Sequence, residues 1–139
     1  MEPRYLLDTN ICIYIRQRKP EEVLRRFRRL RPGEAVLSVI TYGELLFGAA
    51  KSVHQAAARE RLRELVRSLP ALALPESAAE TYGAVRTELE SKGEMIGNND
   101  LWIAAHALAM GLTLVTNNES EFRRVRGLKV QNWARSRIN

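Results

Sequence analysis

Short apolar runs that each give way to a helical pattern leave this chain few folds to choose from. Tyr5-Leu6-Leu7 ends at Asp8-Thr9-Asn10 and passes into Ile11, Ile13, Tyr14 and Ile15, the signature of a buried strand turning into a helix. Pro20 stands at a first helical position and opens a helix from Glu21 to Leu30, with acids in its first turn, arginines toward its end and one apolar stripe of Val23, Leu24, Phe27 and Leu30. Pro32-Gly33 breaks it. Ala35 to Ile40 then reads as a second buried strand, running into a helix that carries Glu44, Leu45, Leu46 and Ala49. Leu62, Leu65, Val66 and Leu69 give the stretch from Gln55 to Leu69 an amphipathic period, and Pro70 stops it. A third strand over Ala71 to Leu74 precedes a helix from Ser77 to Ser91, which ends at Lys92-Gly93. Asp100 opens an apolar helix that Gly111 closes, and Leu112 to Val115 is a fourth strand ending at Thr116-Asn117-Asn118. Phe122 to Val125 reads as a short helix and Leu128-Lys129-Val130 as a fifth strand.

Strands separated by helices, and apolar on both faces, predict an α/β domain with a central, mostly parallel sheet of four to five strands flanked by helices. The 139 residues suffice for one core, so a single domain over 1–139 is expected. No stretch of about 18 apolar residues occurs, and the start lacks a signal-peptide pattern, which predicts a cytoplasmic protein with no membrane partner. Cys12 is the only cysteine, which removes internal disulfides and CxxC zinc sites; it is expected in the core.

The net charge is +6, and most of the cations are arginines. One basic cluster holds Arg16, Arg18, Lys19, Arg25, Arg26, Arg28, Arg29 and Arg31; a second holds Arg123, Arg124, Arg126, Lys129, Arg135 and Arg137. Two readings stay open: a solvated face with a basic tail, or contact with phosphates or an acidic protein. Under the second, Arg16, Arg18, Lys19, Arg25 and Arg28 are the candidate contacts to a nucleic-acid backbone.

Aspartate occurs only at positions 8 and 100 among 16 acidic residues, each time beside an apolar segment. Asp8 ends the first strand, Glu44 lies a turn into the helix after the second, and Asp100 begins the helix that leads to the fourth. In a parallel sheet these points fall on one edge, where such sheets bind ligands. Each residue also has a plain reading: Asp8 and Asp100 as helix caps, Glu44 as an exposed helix residue, His54 and His106 as surface or core histidines. Gathered together, carboxylates repel one another and call for a shared proton or a cation, and oxygen-only ligands suit Mg2+ or Mn2+. That is the equipment for phosphodiester hydrolysis without a side-chain nucleophile. No GxSxG elbow, HExxH pair, Walker A or GxGxxG loop is present.

Taken jointly, Leu6-Leu7-Asp8-Thr9-Asn10, Ser38-Val39-Ile40-Thr41-Tyr42-Gly43-Glu44-Leu45, the run from Ile96 to Ala107 around Asn99-Asp100-Leu101, and Leu114-Val115-Thr116-Asn117-Asn118-Glu119 with Phe122 resemble the VapC toxins of the PIN-domain family along the whole chain. The resemblance implies a PIN fold, an endoribonuclease dependent on Mg2+ or Mn2+, a VapB-type antitoxin partner and a homodimer. It implies that Asp8, Glu44 and Asp100 are the catalytic, metal-holding carboxylates and that Thr9, Asn10 and Thr116 orient them. Many members carry an aspartate after the Thr-Asn of the last motif, where this chain has Asn118 followed by Glu119. An asparagine adds no charge, so one ion is expected rather than two, with Glu119 as an outer ligand. The Asn-Asn form resembles the branch that cuts initiator tRNA in its anticodon loop. Two alternatives share the fold: a non-catalytic nucleic-acid-binding module, and a metal-dependent deoxyribonuclease.

Overall fold

Alternate side chains along a strand point to opposite faces of a sheet, and here both faces are covered. The computed structural model describes residues 2–134. Five strands, β1 (Tyr5–Leu7), β2 (Ala35–Ser38), β3 (Ala71–Leu72), β4 (Thr113–Val115) and β5 (Val130–Gln131), form one sheet in the order β3-β2-β1-β4-β5. Every described pairing is parallel. Leu7, Leu37 and Val115 face a core shared with α1 (Thr9–Gln17), α2 (Glu21–Arg28) and α4 (Gln55–Ser68). Their neighbours Leu6, Val36 and Leu114 face a second core, with α5 (Ser77–Lys92), α6 (Asn98–Met110) and α7 (Glu119–Phe122). The helix α3 (Val39–Lys51) contributes Leu45 to the first core and Ile40 to the margin of the second. The doubly covered parallel sheet is the architecture the sequence predicts.

From β1 the chain steps outward to β2 and β3, then crosses back to the other side of β1 for β4 and β5. That reversal opens a crevice between the carboxyl ends of β1 and β4, where α/β sheets bind ligands. Leu7 pairs with Val115, so Asp8 and Thr116 leave the sheet side by side.

Several boundaries differ from the sequence reading, each for a local reason. The second strand stops at Ser38 rather than Ile40, because the Ser38 hydroxyl accepts the Ile40 N–H at 3.1 Å and caps α3. The third strand then ends at Leu72, since its only register partners are Leu37 and Ser38 and β2 extends no further. Gly97 takes the cap position of α6, so the helix begins at Asn98 and Asp100 lies in its first turn instead of opening it. Pro20 stands just before α2, which ends at Arg28. The short helix is Glu119–Phe122 rather than Phe122–Val125, and the last strand is Val130–Gln131, set by pairing with Leu114 and Val115. Cys12 is fully buried, as expected. Arg135 and Arg137 of the second basic cluster lie outside the described residues. Among the described residues no helix is long and apolar enough to cross a membrane.

Candidate functional site

Asp8 is fixed by the backbone that follows it. It caps α1, its Oδ1 accepting the Ile11 N–H at 3.0 Å, while its Oδ2 accepts a short hydrogen bond from the Thr116 hydroxyl across the crevice. Thr116 is itself held, because its oxygen accepts the Asn118 N–H at 2.9 Å. Burial raises the Asp8 carboxyl above its usual range and the Glu44 charge adds to this, against hydrogen bonds from Thr116, Ile11 and Asn10. Asp8 is therefore a cap, as its plain reading had it, and also a buried acid facing another acid.

Glu44 projects from the second turn of α3 and is half-buried. The Thr9 hydroxyl donates to its Oε1 at 2.5 Å, and the Asn99 amide to its Oε2 at 3.3 Å. The residue beside Asp8 and the residue before Asp100 thus grip the same carboxylate, tying three helix starts together. Tyr82 donates to the Asn98 side chain at 2.6 Å and stacks on Trp102, which braces the first turn of α6 against α5.

Asp100 carries the largest electrostatic load. Its carboxyl is raised to about 7, first by burial, then by the hydrogen bond it donates to Glu121 and that group's charge, then by the charges of Asp8 and Glu44. The three acids singled out by sequence therefore act on one another, and the fold adds a fourth. Glu121 lies in α7, its Oε1 accepting the Gly97 N–H at 3.1 Å and its Oε2 the Asn118 amide at 2.5 Å. Burial alone pushes Glu121 up, but the bonds from Gly97, Asn118 and Asp100, together with the Arg124 charge, bring it below its usual range. The two shifts run in opposite directions, so Asp100 takes up a proton more readily than Glu121.

Sequence reading missed Glu121 and favoured its neighbour Glu119. The structure engages Glu119 with Arg123 at 2.8 Å and Asn132 at 3.0 Å, on a hollow lined also by Asn117 and Ser120. Asn118 presents its amide to Glu121, which makes it an orienting residue. The available signal was the spacing: Asn118 precedes α7 and Glu121 follows three residues later, the interval of a capping box. Asn10 is exposed, and its backbone N–H supports Asp8. His106 is a core residue, its Nδ1 2.9 Å from the Ser38 hydroxyl and its basicity lowered by burial; His54 is exposed ahead of α4.

Among the described residues, no three histidine, cysteine, aspartate or glutamate side chains already stand as a ready ligand set. The fit to a cation rests on the donors themselves. Asp8, Glu44, Asp100 and Glu121 offer only hard oxygen atoms, and their repulsion is of the kind a divalent cation relieves, so the set suits Mg2+ or Mn2+.

Comparison with known proteins agrees with this geometry. The PIN domain family matches residues 5–128. Ribonuclease VapC2 of Haemophilus influenzae is 41% identical over 130 residues, covering 94% of this chain and 98% of that protein. The tRNA(fMet)-specific endonuclease VapC of Shigella flexneri is 38% identical over 131 residues, with the same coverage of 94% and 98%. Among solved structures, VapBC2 from Rickettsia felis, bound to a DNA fragment from their promoter, superposes with a TM-score of 0.87 at 38% identity, covering 96% of this chain and 99% of that one.

Proposed function

The chain belongs to the PIN-domain family, and on that premise we propose that it is the toxin ribonuclease of a VapBC pair, hydrolysing RNA phosphodiester bonds with a divalent cation held by Asp8, Glu44 and Asp100. The observation that carries this reading is the convergence of carboxylates from separate elements on one crevice, with Asp100 raised to about 7 by the others. Bound there, Mg2+ or Mn2+ would supply Lewis acidity, lowering the pKa of a water and steadying the leaving oxygen.

The protein's own residues supply positioning. Thr116 and the start of α1 fix the Asp8 carboxylate, Thr9 and Asn99 fix Glu44, and Asn118 with the Gly97 N–H fixes Glu121 beside Asp100. Glu121 acts as an auxiliary carboxylate that stays charged beside Asp100 and adds to the negative potential a cation would meet. We read the arginine clusters as holding the RNA backbone while an unpaired loop enters the crevice. The Shigella relative's name points to initiator tRNA as the RNA to test first. A VapB-type antitoxin is the expected partner, in keeping with the VapBC assemblies among similar structures. The exposed Val39 and Phe47 on α3 support a homodimer. The domain matched over residues 5–128 is the part to which we assign the activity, and work on RNA fits the cytoplasm.

The test is incubation of purified protein with cellular RNA, with and without Mg2+, followed by sequencing of the new ends. Mg2+-dependent ends that vanish in Asp100→Ala are expected. Cleavage that persists undiminished in that variant, or salt-sensitive RNA binding with no cleavage under any divalent ion, overturns the reading. Cleavage of matched DNA in preference to RNA reassigns the substrate.

A further inference from the structure

We propose that the hollow between the C-terminal end of α1 and the middle of α4 is a seat for an RNA backbone phosphate, held by Arg16, Arg18 and Arg61; the proposal rests on the ribonuclease reading above. The hollow encloses about 330 Å³, with Ile15 and Leu65 in its lining and Arg16, Arg18, Arg61 and Glu64 as its charged groups. Three cations around one carboxylate leave a local excess of positive charge that attracts an anion.

The hollow gathers three arginines from two helices around one glutamate, and none of them pairs with it. Elsewhere on the surface, Arg4, Arg25, Arg63, Arg86 and Arg123 each pair with a glutamate. Among the described residues Arg16, Arg18 and Arg61 form no ion pair, although Glu64 lines the same hollow and stands three residues from Arg61. On the same helix Arg63 does pair with Glu60, at 3.1 Å. The macrodipole accounts for cations at the end of α1, where Arg16 occupies the last turn and Arg18 caps it in the left-handed region at φ 61. It does not account for Arg61, which sits in the middle of α4.

Ile15 and Leu65 give the hollow an apolar floor beside exposed Arg18 and Arg61, and guanidinium bonds to phosphate are charge-assisted. Guanidinium forks also match phosphate oxygens in geometry. Position fits the chemistry. Asp8 caps the start of α1 and Arg16 lies eight residues on, about 12 Å at the helical rise. A strand whose scissile bond meets the carboxylates therefore reaches the hollow within a few nucleotides, on the same helix. Seating a phosphate there fixes the register of the strand without reading its sequence.

The test uses the full-length chain carrying Asp100→Asn, a labelled single-stranded RNA, and binding measured over a range of potassium chloride concentrations. Arg61→Glu and Arg18→Glu should each weaken binding about tenfold, and each should flatten the plot of log affinity against log salt by about 0.7. Arg61→Gln should shift both in the same direction by less. Arg63→Glu, on the same helix but paired outside the hollow, should leave the slope unchanged. Arg18 and Arg61 variants that melt like the parent yet keep its affinity and slope overturn the proposal, as does an equal loss in Arg63→Glu. Retained RNA affinity with lost affinity for a polyglutamate peptide makes the hollow a protein-docking site and also overturns it. If the protein with Asp100 intact cuts no RNA, the ribonuclease reading falls and takes this one with it; cleavage with an unchanged salt slope sinks the phosphate seat alone.

Discussion

At the end of β1 the Asp8 carboxylate receives hydrogen bonds from the Ile11 N–H and the Thr116 hydroxyl, whereas across the crevice Asp100 meets the carboxylate of Glu121. Burial raises both carboxyls, and Asp100 is carried to about 7 with its neighbours' charges adding to the burial. One aspartate is thus part of the framework and the other a poised charge. Asp8 is needed by α1 and by β4 whether or not a cation is present. Asp100 is strained by its neighbours until a proton or a cation arrives.

The largest expected effect treats the two alike. Asp8→Ala and Asp100→Ala should each lower RNA cleavage at least about 10³-fold, read as initial rates on a labelled RNA. Stability should then separate them. Asp8→Ala removes a helix cap and leaves the buried Thr116 hydroxyl without its acceptor, a loss of about 2 kcal/mol in chemical denaturation. Next in size is the contrast between the two glutamates of α7. Glu121→Gln should slow cleavage about tenfold, and Glu119→Gln by less than about twofold, in the same rate assay.

Asp100→Asn should act in the opposite sense to Asp8→Ala, stabilising the cation-free protein by about 1 kcal/mol, a modest figure because the group is half exposed. The pH dependence follows from the direction of the shift. A carboxyl raised from 3.8 to about 7 binds its proton more tightly when folded, so its contribution to stability is lost as pH climbs through that window. Asp8 is shifted in the same sense and Glu121 in the opposite one. Without divalent cation the melting temperature should fall between about pH 5 and pH 7, and Asp100→Asn should flatten that fall. Added Mg2+ should restore stability more at pH 8 than at pH 6, because it competes with the proton for the same carboxylate.

The sheet, its helix layers and the meeting of Asp8, Glu44 and Asp100 were legible because they follow from apolar strands in series: a parallel sheet brings every strand end to one edge. Glu121 was not. Phe122 and Val125 stand three apart and moved the expected helix three residues too far along, which left Glu121 in a loop when it in fact closes on the Gly97 N–H. Asp100 as a cap was misjudged for a related reason, since Gly97 can hold the extended cap backbone without contributing a side chain. The arginine hollow was half visible. Arg16 and Arg18 stood in a basic run, but Arg61 comes from a helix whose alternating charges read as ordinary wet surface, and only the packing of α1 beside α4 joins them.

The proposed activity requires distant carboxylates to hold one divalent cation. Calorimetric titration of the full-length protein with Mn2+ at pH 8, in parallel with Asp100→Ala and Glu44→Gln, addresses it without recourse to any RNA. Saturable binding by the unmodified chain that is lost in Asp100→Ala and weakened in Glu44→Gln is the expected result. Equal binding by all three proteins, or no binding by the unmodified chain, would contradict it.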